Sequence, residues 1–267
     1  MNRIDAKFSE LKKAGRRAFI AFITAGYPDL PTTAKLVLEL ERNGADIIEL
    51  GVPFSDPLAD GPVIQEASLH SLSQKTTLKK IISLVSELRK KTQIPICLMT
   101  YYNPVFRMGD RVFADKAAKA GVDGVIIPDL PPEEARDFIA YAGRKGLFNI
   151  LFLSPTSSHK RIKEVSGMAR GFIYYVSLTG VTGSRASLAK DLEANLKKIK
   201  RVSRLPVCAG FGISSPGQMQ KVQEFCDGGI VGSAIVGRIK KNIGCGDLAH
   251  RVGSFARMFN VQKKRVR

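Results

Sequence analysis

Short apolar runs recur along the chain, each followed by a longer stretch whose apolar residues fall at helical spacing. The runs at 18–24, 47–51, 96–100, 124–127, 149–153, 172–176, 206–209 and 229–231 are almost wholly apolar, with β-branched residues frequent, as strands of a sheet covered on both faces are. The stretches 31–43, 78–92, 110–120, 132–145, 159–165, 191–202, 215–224 and 247–259 predict amphipathic helices, and residues 4–14 predict one more ahead of the first strand. Two junctions, Asn43-Gly44-Ala45-Asp46 and Ala120-Gly121-Val122-Asp123, place a glycine just past a helix and then enter an apolar strand. They echo each other, as copies of one βα unit would. Eight such units predict an α/β fold, a single (β/α)8 TIM barrel over residues 1–267 with an extra N-terminal helix. A doubly wound open sheet is the alternative. The longest predicted loops, 52–77 after the second strand and 177–190 after the sixth, fall on the C-terminal face of such a barrel, where barrel sites sit.

Composition narrows the class. With 267 residues, 44% of them hydrophobic, the chain can bury one large core. Its longest apolar runs are strand-sized, so no membrane span is expected, and the N-terminus has no hydrophobic signal core. Cys97, Cys208, Cys226 and Cys245 lack CxxC spacing, and His70, His159 and His250 are scattered. Free thiols in a cytoplasmic protein are therefore expected, with no metal site and no histidine-based triad. The net charge of +18 raises nucleic acid as a partner, but the cations are spread over predicted helix faces and are not interleaved with aromatics. Solvated helix faces are the expected reading, with residues 261–267 as a basic, flexible tail and no specific nucleic acid or membrane partner.

The chemistry concentrates in Glu49-Leu50-Gly51-Val52-Pro53-Phe54-Ser55-Asp56-Pro57-Leu58-Ala59-Asp60-Gly61-Pro62. Glu49 lies within an apolar strand, where a charged carboxylate loses hydration, and it stands near the strand's C-terminal end. A structural pairing or a proton-transfer role fits that position equally, and apolar surroundings raise its proton affinity toward neutrality. Asp56 and Asp60 lie in a proline-stiffened loop where either can simply satisfy turn amides. Asp56 reads that way, whereas Asp60 stays open.

Three glycine-bearing turns follow the last strands: Gly180-Val181-Thr182-Gly183-Ser184, Gly210-Phe211-Gly212-Ile213-Ser214 and Gly232-Ser233-Ala234-Ile235-Val236. Glycine turns leading into helix N-termini present amides to anions, and phosphate sites recur after strands seven and eight of barrels. Phe22, Tyr101, Tyr102, Tyr174 and Tyr175 are either core aromatics or, where they face the mouth, cover for a flat apolar ligand.

Together, the segments 22–29 (FITAGYPD), 49–61 (ELGVPFSDPLADG), 99–106 (MTYYNPVF), 127–131 (IPDLP), 174–183 (YYVSLTGVTG), 210–214 (GFGIS) and 232–236 (GSAIV) closely resemble the tryptophan synthase alpha subunit family, in order and over nearly the whole chain. The resemblance implies a lyase of tryptophan biosynthesis that cleaves indole-3-glycerol phosphate by retro-aldol reaction to indole and glyceraldehyde 3-phosphate, with no cofactor or metal of its own. It implies Glu49 as general acid/base, Asp60 as the carboxylate facing the indole N–H, and Tyr174 as the group orienting Glu49 or the glycerol chain. Phe22, Tyr101 and Phe211 would wall the indole pocket, and Gly183, Gly212, Gly232 and Ser233 would hold phosphate. Thr182 would meet Asp60 when the site closes. The implied partner is the pyridoxal phosphate-dependent beta subunit in an alpha2beta2 heterotetramer, docked near Pro53, Phe54, Asp56, Pro57, Asn103 and Asp129. A free-standing indole-releasing lyase and a non-catalytic activator of the beta subunit are the alternatives. The strongly basic charge departs from what the family leads one to expect.

Overall fold

In the computed structural model, which describes residues 1–176, 185–210 and 212–260, eight parallel strands close into a barrel. They are β1 (Ala18–Thr24), β2 (Ile47–Gly51), β3 (Ile96–Met99), β4 (Gly124–Ile126), β5 (Phe148–Leu153), β6 (Ile173–Val176), β7 (Val207–Gly210) and β8 (Gly228–Val231). Each pairs with its successor, and β8 returns to β1 through Ala18↔Gly228 to Ala21↔Val231. The closed order excludes the open doubly wound sheet. Around the strands run α1 (Arg3–Lys13), α2 (Leu30–Arg42), α3 (Pro62–Ser73), α4 (Leu78–Leu88), α5 (Tyr102–Met108), α6 (Asp110–Ala120), α7 (Arg136–Arg144), α8 (His159–Met168), α9 (Arg185–Val202), α10 (Pro216–Phe225), α11 (Ser233–Lys240) and α12 (Leu248–Ala256). Among the described residues no helix is long and apolar enough to cross a membrane, and all four cysteines are free. The expected tail, 261–267, lies outside the described residues.

The predicted strands agree with the observed ones to within a residue at nearly every end. Two helices were not foreseen. Residues 62–73, expected as loop, form α3, whose buried positions are Ala67, Ser68 and Ser71. Small and polar residues on the inner face leave no apolar stripe to read, although Gly61 at the N-cap and Pro62 in the first turn are start signals. Residues 102–108 form α5, a seven-residue helix with Pro104 in its first turn, too short for a periodic pattern. The helix expected from Pro132 begins at Arg136, after a turn over 132–134, and the one expected from Asp191 begins at Arg185.

The extra N-terminal helix closes the lower end of the barrel. Ile4, Phe8 and Leu11 pack as one cluster with the inward-facing Ile20, Ile47, Cys97, Ile126, Ile150, Phe172, Cys208 and Ile230. The Asn2 side chain accepts the Ile4 amide at 2.8 Å and donates to the carbonyls of Asp123 and Gly146, both at 2.9 Å, so the helix is capped and pinned by one residue.

The echoing glycine-x-aspartate turns have a physical role at the same end. Asp46, Asp123 and Asp227 each stand just before a strand and accept an amide at the start of the strand beside it: Phe19 at 2.9 Å, Ile96 at 2.8 Å and Val207 at 3.0 Å. Each carboxylate also meets arginine: Asp46 with Arg16 (3.6 Å), Asp123 with Arg89 (2.7 Å) and Arg3 (3.0 Å), Asp227 with Arg17 (2.9 Å). Three neighbouring strand pairs, β1/β2, β3/β4 and β7/β8, are thus stitched by the same device. Gly121 is required at its turn, since its φ is +88° and a Cβ there would stand 2.8 Å from Cγ of Arg89.

The Asp123 stitch is the most enclosed, with 3% of its side chain and 10% of Arg89's exposed. Asp123→Ala is expected to cost about 3–5 kcal/mol in urea unfolding, the price of leaving a buried cation and an amide unpaired. Glu87→Ala, which breaks the 2.7 Å pair with Lys90 between side chains both 68% exposed, should leave the midpoint unchanged.

Candidate active site

Glu49 points into the barrel. Its neighbours in register are Phe22 on β1 and Cys97 on β3. It is wholly buried, and neither carboxylate oxygen has a hydrogen-bond partner. With nothing to compensate the lost hydration, burial pushes its pKa up to about 8, so the group is neutral and ready to donate at physiological pH. Tyr174 on β6 is also buried, and its hydroxyl is driven further toward the neutral form by burial and then by the Glu49 charge. Gly210 makes room for it, because a Cβ there would lie 2.8 Å from the Tyr174 hydroxyl.

Above Glu49 the same strand face carries Gly51. A Cβ there would come within 2.5 Å of the Phe22 ring, so the glycine lets that ring lie across the barrel mouth. About 280 Å³ of open space lies here, bounded by Phe22, Thr24, Ile64, Met99, Pro128 and, at the rim, Asp60 and Tyr101. Asp60 is half-buried. Its burial raises its proton affinity, and a hydrogen bond from the Tyr101 hydroxyl opposes that rise. The two carboxylates therefore differ in kind: one dry and unpartnered inside the barrel, one bonded at its edge. Asp60 is not occupied with turn amides, which was the plain structural reading. Asp56 is exposed and accepts from the Ser55 hydroxyl.

Several cavity residues were not foreseen. Thr24 stands two positions beyond Phe22 on β1, so strand alternation alone puts it on the same face; its hydroxyl is buried without a partner. Ile64 and Ser68 are one turn apart on α3 and were hidden once that segment was read as loop.

Two of the glycine turns, those after β7 and β8, lie in the described residues apart from position 211. Gly212 adopts φ +63°. Helix α10 behind it is capped from within: the Ser215 hydroxyl accepts the Gln218 amide, and the Gln218 side chain accepts the amides of Ser214 (2.8 Å) and Ser215 (3.2 Å). Helix α11 differs. Gly232 at its N-cap offers no side chain, so no capping group covers the amides of the turn that Ser233 begins. Gly232 also sits against Phe22, where a Cβ would be 3.3 Å from the ring. The α11 N-terminus thus opens beside the ring slot, with the electrostatics that suit an anion. Thr182, Gly183 and Phe211 lie outside the described residues.

The residues expected at a docking face gather on the same side of the barrel. Pro53 is buried, Phe54 and Pro57 are half-buried, and Asp56, Asn103 and Asp129 are exposed. Asp129 accepts the Tyr102 amide at 2.9 and 3.1 Å, and the neighbouring Leu58 and Phe106 are exposed apolar side chains. Among the described residues no group of three or more His, Cys, Asp or Glu side chains is gathered as for a metal.

The family profile described as tryptophan synthase alpha chain matches residues 8–261. The tryptophan synthase alpha chain of Geotalea uraniireducens is 51% identical over 266 residues, covering 100% of this chain and 99% of that one. That of a Thermoanaerobacter species is 46% identical over 255 residues, 96% of this chain and 97% of the other. Among solved structures, tryptophan synthase subunit alpha from Legionella pneumophila superposes with a TM-score of 0.91 at 37% identity, covering 97% of each chain. The tryptophan synthase a2b2 complex of Pyrococcus furiosus contributes a chain with TM-score 0.82 and 34% identity, covering 91% of this chain and 97% of that one.

The state of Glu49 has a measurable consequence for stability. The folded chain holds its proton to about pH 8, whereas an exposed glutamate releases it near 4.5. Unfolding therefore sheds a proton in that interval, and raising the pH through it favours the unfolded chain. Glu49→Gln removes this dependence. The variant is expected to gain stability over the wild type progressively from pH 5 to pH 8, measured as denaturant midpoints across that range.

Proposed function

The chain belongs to the tryptophan synthase alpha chain family, and we propose that its barrel mouth carries out that family's reaction, the retro-aldol cleavage of indole-3-glycerol phosphate to indole and glyceraldehyde 3-phosphate. The observation that carries this reading is a dry, neutral Glu49 inside the barrel, on the strand whose Gly51 lines the mouth cavity that Asp60 also borders. Cleaving the bond to indole C3 requires an acid that protonates C3 and a base that takes the proton of the hydroxyl beside the breaking bond. Glu49 does both in turn, since an acid titrating near neutrality gives and recovers a proton at little cost. Protonated C3 leaves positive charge on the ring nitrogen, and Asp60 faces that nitrogen, accepting its N–H and stabilising the charge as it develops. Tyr174 orients Glu49 or the glycerol chain.

Phe22, Tyr101 and Phe211 enclose the ring, and Gly183, Gly212, Gly232 and Ser233 hold the phosphate, the uncapped α11 N-terminus giving the last two their electrostatic suitability. Thr182 meets Asp60 on closure. The reaction needs no cofactor or metal in this chain. The partner is a tryptophan synthase beta subunit, which carries pyridoxal phosphate and seats on the face holding Pro53, Phe54, Asp56, Pro57, Asn103 and Asp129. The enzyme works in the cytoplasm, where its four free cysteines stay reduced.

Indole release measured on wild type and variants, with and without added beta subunit, tests the assignment. Glu49→Gln is expected to abolish turnover while phosphate-ligand binding survives; near-normal turnover would remove Glu49 from its role. Asp60→Asn is expected to lose roughly 3 kcal/mol of transition-state stabilisation, about a hundredfold in rate, as removal of comparable preorganised groups does. A loss below tenfold would demote Asp60. If added beta subunit left the rate unchanged, the coupled assembly would give way to a free-standing lyase.

A further inference from the structure

Tyr101 is joined to the Asp60 loop three times. Its ring stacks on Phe54, with centroids 5.1 Å apart and planes at 27°. Its hydroxyl oxygen accepts the Ala59 amide at 2.9 Å, which sets the hydroxyl beside the Asp60 carboxylate, whose proton affinity it lowers. The amide fills one acceptor position on the oxygen and leaves the O–H directed at the carboxylate. These contacts fall on both sides of the exposed stretch around Ser55, Asp56 and Leu58, so one side chain holds the two arms of the loop.

The rest of Tyr101 belongs to the barrel frame. It stands two residues past the end of β3, at the N-cap of α5. The next residue is fastened twice, its amide to Asp129 and its hydroxyl to Asp110 at 3.1 and 3.2 Å. A loop carboxylate is thus referred to a fixed point on the scaffold.

We infer that Tyr101 is a positioning residue for Asp60: its hydroxyl fixes the carboxylate at the rim of the ring slot, and its ring ties that carboxylate to Phe54. The inference rests on the reading above, in which Asp60 acts as a charged group. Burial works against that charge, and the Tyr101 O–H is the bond that opposes it. Buried, and then set beside the Asp60 charge, the Tyr101 hydroxyl is itself pushed up to about 12 and stays protonated. The other titratable groups around Asp60 do not share this role. Asp129, beyond β4, acts on Tyr101 through its charge, Tyr174 and behind it Glu49 lie inside the barrel, and Glu66 of α3 is taken by Lys240 at 2.6 Å.

The test is Tyr101→Phe in the full chain, which keeps the ring on Phe54 and removes only the hydroxyl. The Asp60 carboxyl is titrated directly by carbon-13 NMR, alongside the pH profile of kcat/KM for indole release. The Asp60 midpoint is expected to rise by about one pH unit or more, and the acid limb of the profile to rise with it, while the alkaline limb set by Glu49 stays in place. At neutral pH kcat should fall roughly tenfold to a hundredfold, the contribution of one hydrogen bond to a charged group. An unchanged Asp60 midpoint, or a loss of rate equal at every pH, would overturn the inference. A raised midpoint with undiminished turnover would keep the tie and sink instead the electrostatic role given to Asp60. If Tyr101→Phe melts early, Phe54→Leu leaves the hydroxyl in place and loosens only the ring; the same upward shift, smaller in size, is expected, and no shift counts against the tie.

Discussion

The closure of β8 onto β1 is the constraint on which the mouth depends. Through it β1 touches both halves of the site. On one side its Phe22 stands in register with Glu49, and on the other it lies against Gly232 at the head of α11. Closure demands small residues where the strands crowd. A Cβ at Gly228 would stand 2.8 Å from the Cys208 sulfur and 2.9 Å from Cβ of Ala18, and one at Gly229 would stand 2.3 Å from the Met219 sulfur. In β8, Gly228 thus serves the ring of strands and Gly229 the packing of α10 on it, while Gly51, Gly210 and Gly232 leave room for the aromatic side chains that shape the cavity. The same residue type answers two crowding problems at two levels of one barrel.

Electrostatics divides the molecule in a similar way. At the lower end, aspartates are bonded to strand amides and arginines, and their charge is part of the scaffold. At the mouth, Glu49 has no partner and Asp60 has the single tyrosine described above. The positive excess lies elsewhere, on outer faces such as that of Lys197, Lys198, Lys200 and Arg201 of α9, all exposed. A net charge of +18 therefore coexists with a barrel that holds one carboxylate at its mouth and another buried within.

The strands were legible because a parallel barrel buries them on both faces, and continuous β-branched runs follow directly from that burial. Glu49 was legible for the same reason, as the one acid in such a run. Helices α3 and α5 were not, because the first buries alanine and serine and the second is two turns long. The unread α3 hid Ile64 and Ser68 as cavity walls. The echo at Asp46 and Asp123 was visible as a repeat, but its meaning depends on a strand paired across space, which no local pattern records. The Tyr101 link is of that kind too, joining residues 42 positions apart.

The helix that precedes the barrel has a bearing on the site it never touches. With Ile4, Phe8 and Leu11 filling the lower end, the interior is a blind shaft, and the acid on β2 sits partway down it. A proton bound by Glu49 has one way out, through the mouth, and a molecule seated over Gly51 stands in that way. In the proposed reaction, what the carboxyl collects from its guest is shut in with the guest, and the shortest journey left is back onto another atom of the same molecule. One group can then serve as acceptor and donor in turn without drawing on the solvent, because the far end of the barrel has been corked.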